Sequence, residues 1–275
     1  MKKTNRNNLP KYITCVIDEY TSHDSEVPVE HRYSITELLN PVKETLLKRK
    51  YFDVIERDYS DFIEVMFGSA FHAMFENSKD DYVHELKMEY VHDGITIVGK
   101  IDLLDEENEE IIDFKTSSVN KVITKNFDEN IKQCIAYAWL RKKTSFKYTN
   151  KIKLVYFMKD WKKMLVDVKS DYPKSPIYIY EKTLTTEDYE EIERYLLNKV
   201  KMLENNEIPD CTDEEMWKTP TKYALYKKQD SKKAFKIVES LSDVDVPHEK
   251  VEIRPGEKIK CNSYCVVRRF CEQSK

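Results

Sequence analysis

A chain of 275 residues with 50 acidic and 46 basic side chains carries a formal charge of −4, which excludes a diffuse polycation that coats nucleic acid but not a local basic surface. Its 40% hydrophobic content includes no apolar run long enough to span a bilayer, and no secretory leader follows Met1-Lys-Lys-Thr-Asn-Arg, so a cytoplasmic location without membrane attachment is expected. In that setting Cys15, Cys134, Cys211, Cys261, Cys265 and Cys271 are free thiols or metal ligands rather than disulfides.

The first thirty residues are polar and irregular, with strand character over 12–17. A helix is predicted from Ser34, with Glu37 placed to complete a capping box; Pro41 interrupts it, and a second helical stretch runs through Leu46 and Leu47. Over 60–77 the pattern is helical. Phe67, Ala70, Phe71, Met74 and Phe75 recur at three- and four-residue spacing as a core stripe, while Gly68, His72 and Glu76 lie four apart on the neighbouring one. Strands are predicted over 82–92, 96–105 and 110–116 as an antiparallel meander, with Glu85 and Glu89 on the first read equally as accessory carboxylates or as an exposed strand face.

The last two strands carry the most informative chemistry. Side chains on a strand alternate faces, so Asp113 and Lys115 point one way while Ile112 and Phe114 point back into a core. Pairing across the acidic turn brings Asp102 near both. Two carboxylates and an ammonium at one sheet edge suit a divalent ion with hard oxygen ligands beside a scissile phosphate. Considered alone, such a hairpin is more often an ordinary surface turn, with Asp113–Lys115 an ordinary surface pair.

Asp128 is expected to cap a helix that buries Ile131, Cys134, Ile135 and Ala138 and sets Gln133 and Tyr137 on another face. Strands over 153–158 and 177–183 and a long amphipathic helix over 186–205 follow. That order predicts an α/β fold with a mixed central sheet flanked by helices. Short strands over 223–226 and 234–240 precede a tail, Cys261-x3-Cys265-x5-Cys271, whose spacing suits a metal clip. The domain reading is a core over 1–205 and a cysteine-bearing extension over 206–275 packed on it. Basic candidates for nucleic acid are Arg141-Lys-Lys143, Lys227-Lys228 with Lys232-Lys233, and Arg268-Arg269. The four glycines, Gly68, Gly94, Gly99 and Gly256, are expected where close backbone approach matters.

Gly68-x3-His72-x3-Glu76, Gly99-x2-Asp102, Asp113-x-Lys115 and Gln133-x3-Tyr137, in that order, resemble the PD-(D/E)XK nuclease superfamily, in particular its RecB-type exonuclease branch and viral exonuclease-like members. The matching stretch covers roughly the first half of the chain. The resemblance implies a restriction-endonuclease-like fold and a DNA exonuclease of recombination, repair or replication using Mg²⁺ or Mn²⁺. Asp102, Asp113 and the Phe114 carbonyl would hold the ion, with His72 or Glu76 supplementing them. Lys115 would stabilise the transition state, and Gln133 and Tyr137 would position the strand. It further implies DNA as partner, with a single-strand annealing or recombination protein as a second, and host cytoplasm as the location for a viral protein. Some relatives hold an iron–sulfur cluster on one early cysteine and three in the tail. Here Asn40-Pro41 stands where those carry Cys-Pro, leaving Cys211 ahead of Cys15 as fourth ligand for zinc or a cluster, with Cys134 in the core. The rival reading is a catalytically idle scaffold of the same fold, binding nucleic acid or a recombination partner; a third is a structural module of a replication or packaging machine.

Overall fold

The acidic hairpin lies in the middle of a six-stranded mixed sheet. The computed structural model describes residues 1–21, 27–243, 247 and 249–274, and its contacts divide it into two units, residues 1–40 with 52–207 and residues 41–51 with 208–275.

In chain order the elements to residue 76 are β1 (Lys2–Thr4), α1 (Lys11–Tyr20), β2 (Arg32–Ser34), α2 (Ile35–Leu39), α3 (Val42–Lys50), β3 (Glu56–Asp58) and, after a 3₁₀ turn, α4 (Ile63–Glu76). Next come β4 (Val83–His92), β5 (Ile95–Asp105), β6 (Glu110–Ser117), α5 (Val119–Ile123) and α6 (Asp128–Ser145). The first unit closes with β7 (Lys151–Met158), β8 (Ile177–Thr183) and α7 (Thr186–Glu204). The second adds β9 (Lys222–Tyr226), β10 (Lys236–Val238), β11 (Lys250–Arg254) and α8 (Ile259–Ser263) to α3.

The large sheet runs β2-β5-β6-β7-β8, with β4 also on β5. β2 and β5 are parallel, as are β6 and β7; the other pairings are antiparallel. Strand β7, Lys-Ile-Lys-Leu-Val-Tyr-Phe-Met, buries every second residue, as a strand with one face on a core must. Between β4 and β5, Asp93 (φ 50°) and Gly94 (φ 78°) form a two-residue turn with both residues left-handed, the type I′ pattern that matches strand twist. Helix α6 packs on β4, β5 and β7 and buries Cys134, Ala136, Trp139 and Leu140 completely. Gly99 makes that approach feasible: a Cβ there would lie 2.8 Å from Leu140 and 3.2 Å from Ile35 and Tyr137. Ser34 caps α2, its hydroxyl accepting from the Glu37 N–H at 3.1 Å, and Thr185 caps α7 in a full capping box with Asp188.

Four local readings of the sequence are corrected. Residues 12–17 belong to helix α1, because Ile17 and Thr21, four apart, are both completely buried and the helical period serves that burial. The stripe on α4 is split: Phe71 and Phe75 pack on Phe157 and Phe114, but Phe67 and Met74 are 54% and 71% exposed. Asp128 is the first residue of α6 rather than its cap; Phe127 holds the cap position without a side-chain bond, and Asp128 and Glu129 instead complement the helix dipole. Arg141 is buried, donating to the Tyr148 carbonyl and the Thr149 hydroxyl, so it is withdrawn from the basic run that was read as surface. Strand β11, which the sequence reading passed over, pairs antiparallel with β9 on the edge opposite β10.

Parallel strands β1 and β3 are knotted by one carboxylate. Asp58 accepts from the Arg6 N–H (2.6 Å), the Ser60 N–H (3.1 Å) and hydroxyl (2.8 Å), Asn7 Nδ2 (3.2 Å) and the Thr4 hydroxyl (3.3 Å). The Arg6 bond, with those from Ser60 and Thr4, outweighs burial and holds its pKa at about 2, below the ordinary 3.8. A depressed acid pKa stabilises the fold above the unfolded value and loses that contribution as pH falls through the folded one. Asp58→Asn is therefore expected to lower the urea midpoint at pH 7, and the gap to the parent to narrow below about pH 4 and close near pH 2.

Candidate active site

Strand β5 pairs with β4 along one edge, but its other edge is shared. Strand β2 takes residues 96–98 and β6 takes 103–105, leaving residues 99–102 between them. The last β5–β6 pair is Leu103–Ile112, one step short of Asp102 and Asp113. On the β4 side His84–Leu103 and Leu86–Ile101 pair, while Glu85, opposite Asp102, drops out with φ 51°. A left-handed non-glycine residue costs about 1–3 kcal/mol and persists only where its surroundings hold it. Asp102 thus sits where the ladder is broken on both edges.

Three elements converge there. From α4, His72 places Nδ1 3.4 Å from Asp102 Oδ2, and the Phe114 N–H of β6 donates to the same oxygen at 3.0 Å. Among the described residues one group of three or more candidate ligand atoms lies within 4.8 Å of one another: His72, Glu85 and Asp102. Glu85 also pairs with Lys100. Next along, Asp113 is 2% exposed and its Oδ2 lies 2.6 Å from Lys115 Nζ, in ion-pair rather than hydrogen-bond geometry. Gln133 and Tyr137 of α6 are joined, Gln133 Nε2 donating to the Tyr137 hydroxyl at 2.9 Å. Glu76 is exposed at the end of α4, outside the ligand group. Glu89 pairs with Arg32 at the surface.

The charges tune one another. The Asp102 hydrogen bond raises the His72 pKa against the opposing effect of burial. Burial pushes Asp102 up, but His72, Lys115 and the Phe114 N–H together bring it below the ordinary carboxylate value. Burial pulls Lys115 down, yet Asp113 and Asp102 more than reverse that, so it stays an ammonium. Burial, with the Asp113 charge, pushes the Tyr137 phenol up to about 12, keeping it a neutral donor. A histidine nitrogen and two carboxylates within reach of one point, with a nearly enclosed carboxylate beside them, fit a hard divalent ion.

Asp102 and Tyr137 also border a groove of about 540 Å³ lined by Lys87, Lys100, the Arg32–Glu89 pair, Ser34 and Thr36 over an apolar floor. Lys87 and Lys100 are direct cross-strand partners. The sequence reading missed these cations, which lie far apart along the chain and meet only through the β4–β5 register.

In the second unit, Cys211, Cys261, Cys265 and Cys271 line one cavity of about 20 Å³. Gln273 ties Cys211 to the tail, accepting its N–H at 2.8 Å and donating to its carbonyl at 2.7 Å. Burial lifts Cys211 and Cys265 to about 11, the carboxylates of Glu215 and Glu44 respectively adding to it. Cys15 is exposed on α1 in the first unit, and Cys134 is completely buried.

Breaking a buried ion pair costs about 3–5 kcal/mol because one charge is left without its partner. Lys115→Met is expected to destabilise the metal-free protein on that scale in urea at neutral pH. Stranded Asp113 would hold its proton more tightly folded than unfolded, so the deficit should grow from pH 5 to pH 8. Adding Asp113→Asn should recover much of it; an unchanged deficit in the double variant would refute the account.

No curated protein matches the chain in sequence. The crystal structure of SSO0001 superposes with a TM-score of 0.51 at 18% identity, over 70% of this chain and 87% of its own, a likeness of fold. A phage related exonuclease from Haemophilus somnus aligns with a TM-score of 0.32 at 11% identity, over 72% of this chain and 84% of its own, too loosely to carry an argument. The family model that matches does so from residue 22 to residue 272, nearly end to end. By that match the chain belongs to the PD-(D/E)XK nuclease superfamily.

Proposed function

We propose that this protein is a metal-dependent DNA exonuclease whose active site is the fork between β5 and β6. The observation that carries the reading is the meeting of His72, Glu85 and Asp102 within 4.8 Å, beside the buried Asp113–Lys115 pair. Superfamily members generally use divalent ions. In this reading His72, Glu85 and Asp102 hold Mg²⁺ or Mn²⁺ with Asp113 and the Phe114 carbonyl, and Glu85 takes the place foreseen for Glu76. The ion supplies a water of lowered pKa and offsets charge on the phosphorus. Lys115 stabilises the transition state with a charge strengthened by its surroundings. Gln133 and Tyr137, coupled and neutral, position the strand.

DNA as substrate is supported by the groove. Lys87 and Lys100 stand directly opposite on the ladder; Glu85 pairs with Lys100 and offsets part of their repulsion, and a bound polyanion would relieve the rest. The process served would be recombination, repair or replication, with a single-strand annealing or recombination protein as the natural partner for a freed strand. We further propose that Cys211, Cys261, Cys265 and Cys271, which share one cavity without bringing three sulfurs within 4.8 Å of one another, draw together around a structural zinc ion or iron–sulfur cluster. Elemental analysis and visible absorption of anaerobically purified protein would distinguish the two, and Cys261→Ser should release either.

End-labelled linear DNA and a closed circle of the same sequence test the main reading with Mg²⁺, Mn²⁺ or EDTA. The expected result is loss of the linear substrate alone, dependent on metal and abolished by Asp113→Asn without loss of DNA binding. Lys115→Ala should lower kcat more than it raises KM. Cleavage of the circle would make the protein an endonuclease, and binding without cleavage would favour the idle scaffold.

A further inference from the structure

Three of the four glycines are explained within the chain itself. Gly94 makes the left-handed turn, Gly99 lies under Leu140 and Tyr137, and a Cβ on Gly256 would lie 1.7 Å from the Thr219 carbonyl oxygen. Gly68 has no such reason. It occupies the interior of α4, where glycine is the poorest helix former after proline, and a Cβ built on it meets no atom within 4 Å. The fold would accept alanine there and gain from it.

Gly68 stands one turn before His72 on the same face, and His72 is the residue through which α4 reaches Asp102. Phe67 and Met74, which are largely exposed, lie on a different face, separated from Gly68 by Phe71 and Phe75, which pack inward. The helix is apolar, yet none of its residues is fully buried. Open space over a bare backbone, one turn from the histidine that reaches the carboxylates, leaves room for a polymer chain to approach the site.

We propose that Gly68 is a substrate-positioning residue: its missing side chain lets the sugar–phosphate backbone of a nucleic-acid strand lie against α4 one turn before His72. This rests on the reading of the fork as a nuclease site.

Gly68→Ala and Gly68→Leu test it in the full-length protein. Both should fold, Gly68→Ala with a Tm equal to the parent's or higher by roughly 2–4 °C. Mn²⁺ binding measured by calorimetry should be unchanged. Affinity for fluorescein-labelled duplex and single-stranded DNA, measured by anisotropy in EDTA, should fall roughly tenfold or more for Gly68→Leu and less for Gly68→Ala, with kcat/KM falling in parallel. Binding and cleavage by both variants within about twofold of the parent would overturn the assignment while leaving the nuclease reading intact. A parent that binds without cleaving, and loses affinity on Gly68→Leu, would keep the track and overturn the nuclease reading. A parent that neither binds nor cleaves would overturn both.

Discussion

A carboxylate sealed inside a protein has to be matched by a cation, and the Asp113–Lys115 pair is the constraint on which the rest of this fold's central region depends. Asp113 is 2% exposed, and an isolated charge so placed would cost several kcal/mol. Its partner comes from two residues along the same strand, so pairing needs only that β6 be extended and covered. Both conditions are met by position: β6 runs between β5 and β7, and α6 lies over the sheet with Cys134 close enough to feel both charges. The cover that makes the pair expensive also makes its field strong, because little water remains to screen it.

The neighbouring strand makes the opposite arrangement. Strand β5 gives up pairing where Asp102 lies, since β2 ends before it and β6 begins after it. The Phe114 N–H, freed from the ladder, donates to the Asp102 side chain, so a broken backbone pairing becomes the means of orienting a carboxylate. Across β5 the same step is skipped at Glu85, whose left-handed backbone accompanies its place beside His72 and Asp102. One interrupted rung on each side concentrates three carboxylates at a single depth of the sheet.

Much of this was legible in the sequence because it follows from periods. Alternation along β6 put Asp113 and Lys115 on one face, the four-residue spacing of Gly68 and His72 put them on one face of α4, and Ser34 and Pro41 marked the ends of helices where they occur. What was not legible depends on contacts between distant segments. Nothing local separates a buried Arg141 from a surface one until Tyr148 and Thr149 come round to accept from it. Strand-like residues 12–17 become helix only because Ile17 and Thr21 have a place to be buried together. The Lys87–Lys100 pair exists only in the β4–β5 register, and the left-handed conformation of Glu85 is not a property of glutamate. Of the four cysteines lining one cavity, spacing suggested three and the family resemblance Cys211, but the two hydrogen bonds by which Gln273 ties Cys211 to the tail join segments far apart in the chain.

Several features around the fork cost stability. Glu85 is held in a conformation its side chain disfavours, offset in part by its ion pair with Lys100, Lys87 stands opposite that lysine across the ladder, and Gly68 weakens a helix that has room for a side chain. A protein near its stability threshold tends to shed such burdens where function does not hold them. An idle scaffold would keep the sheet, the α6 cover and the Asp113–Lys115 pair, since these support the fold, but it has little use for the other three. All three lie on elements that border Asp102, on the open side of the site or in the groove beside it. Their clustering there, rather than the presence of the acidic residues alone, is the strongest structural argument that the fork is used.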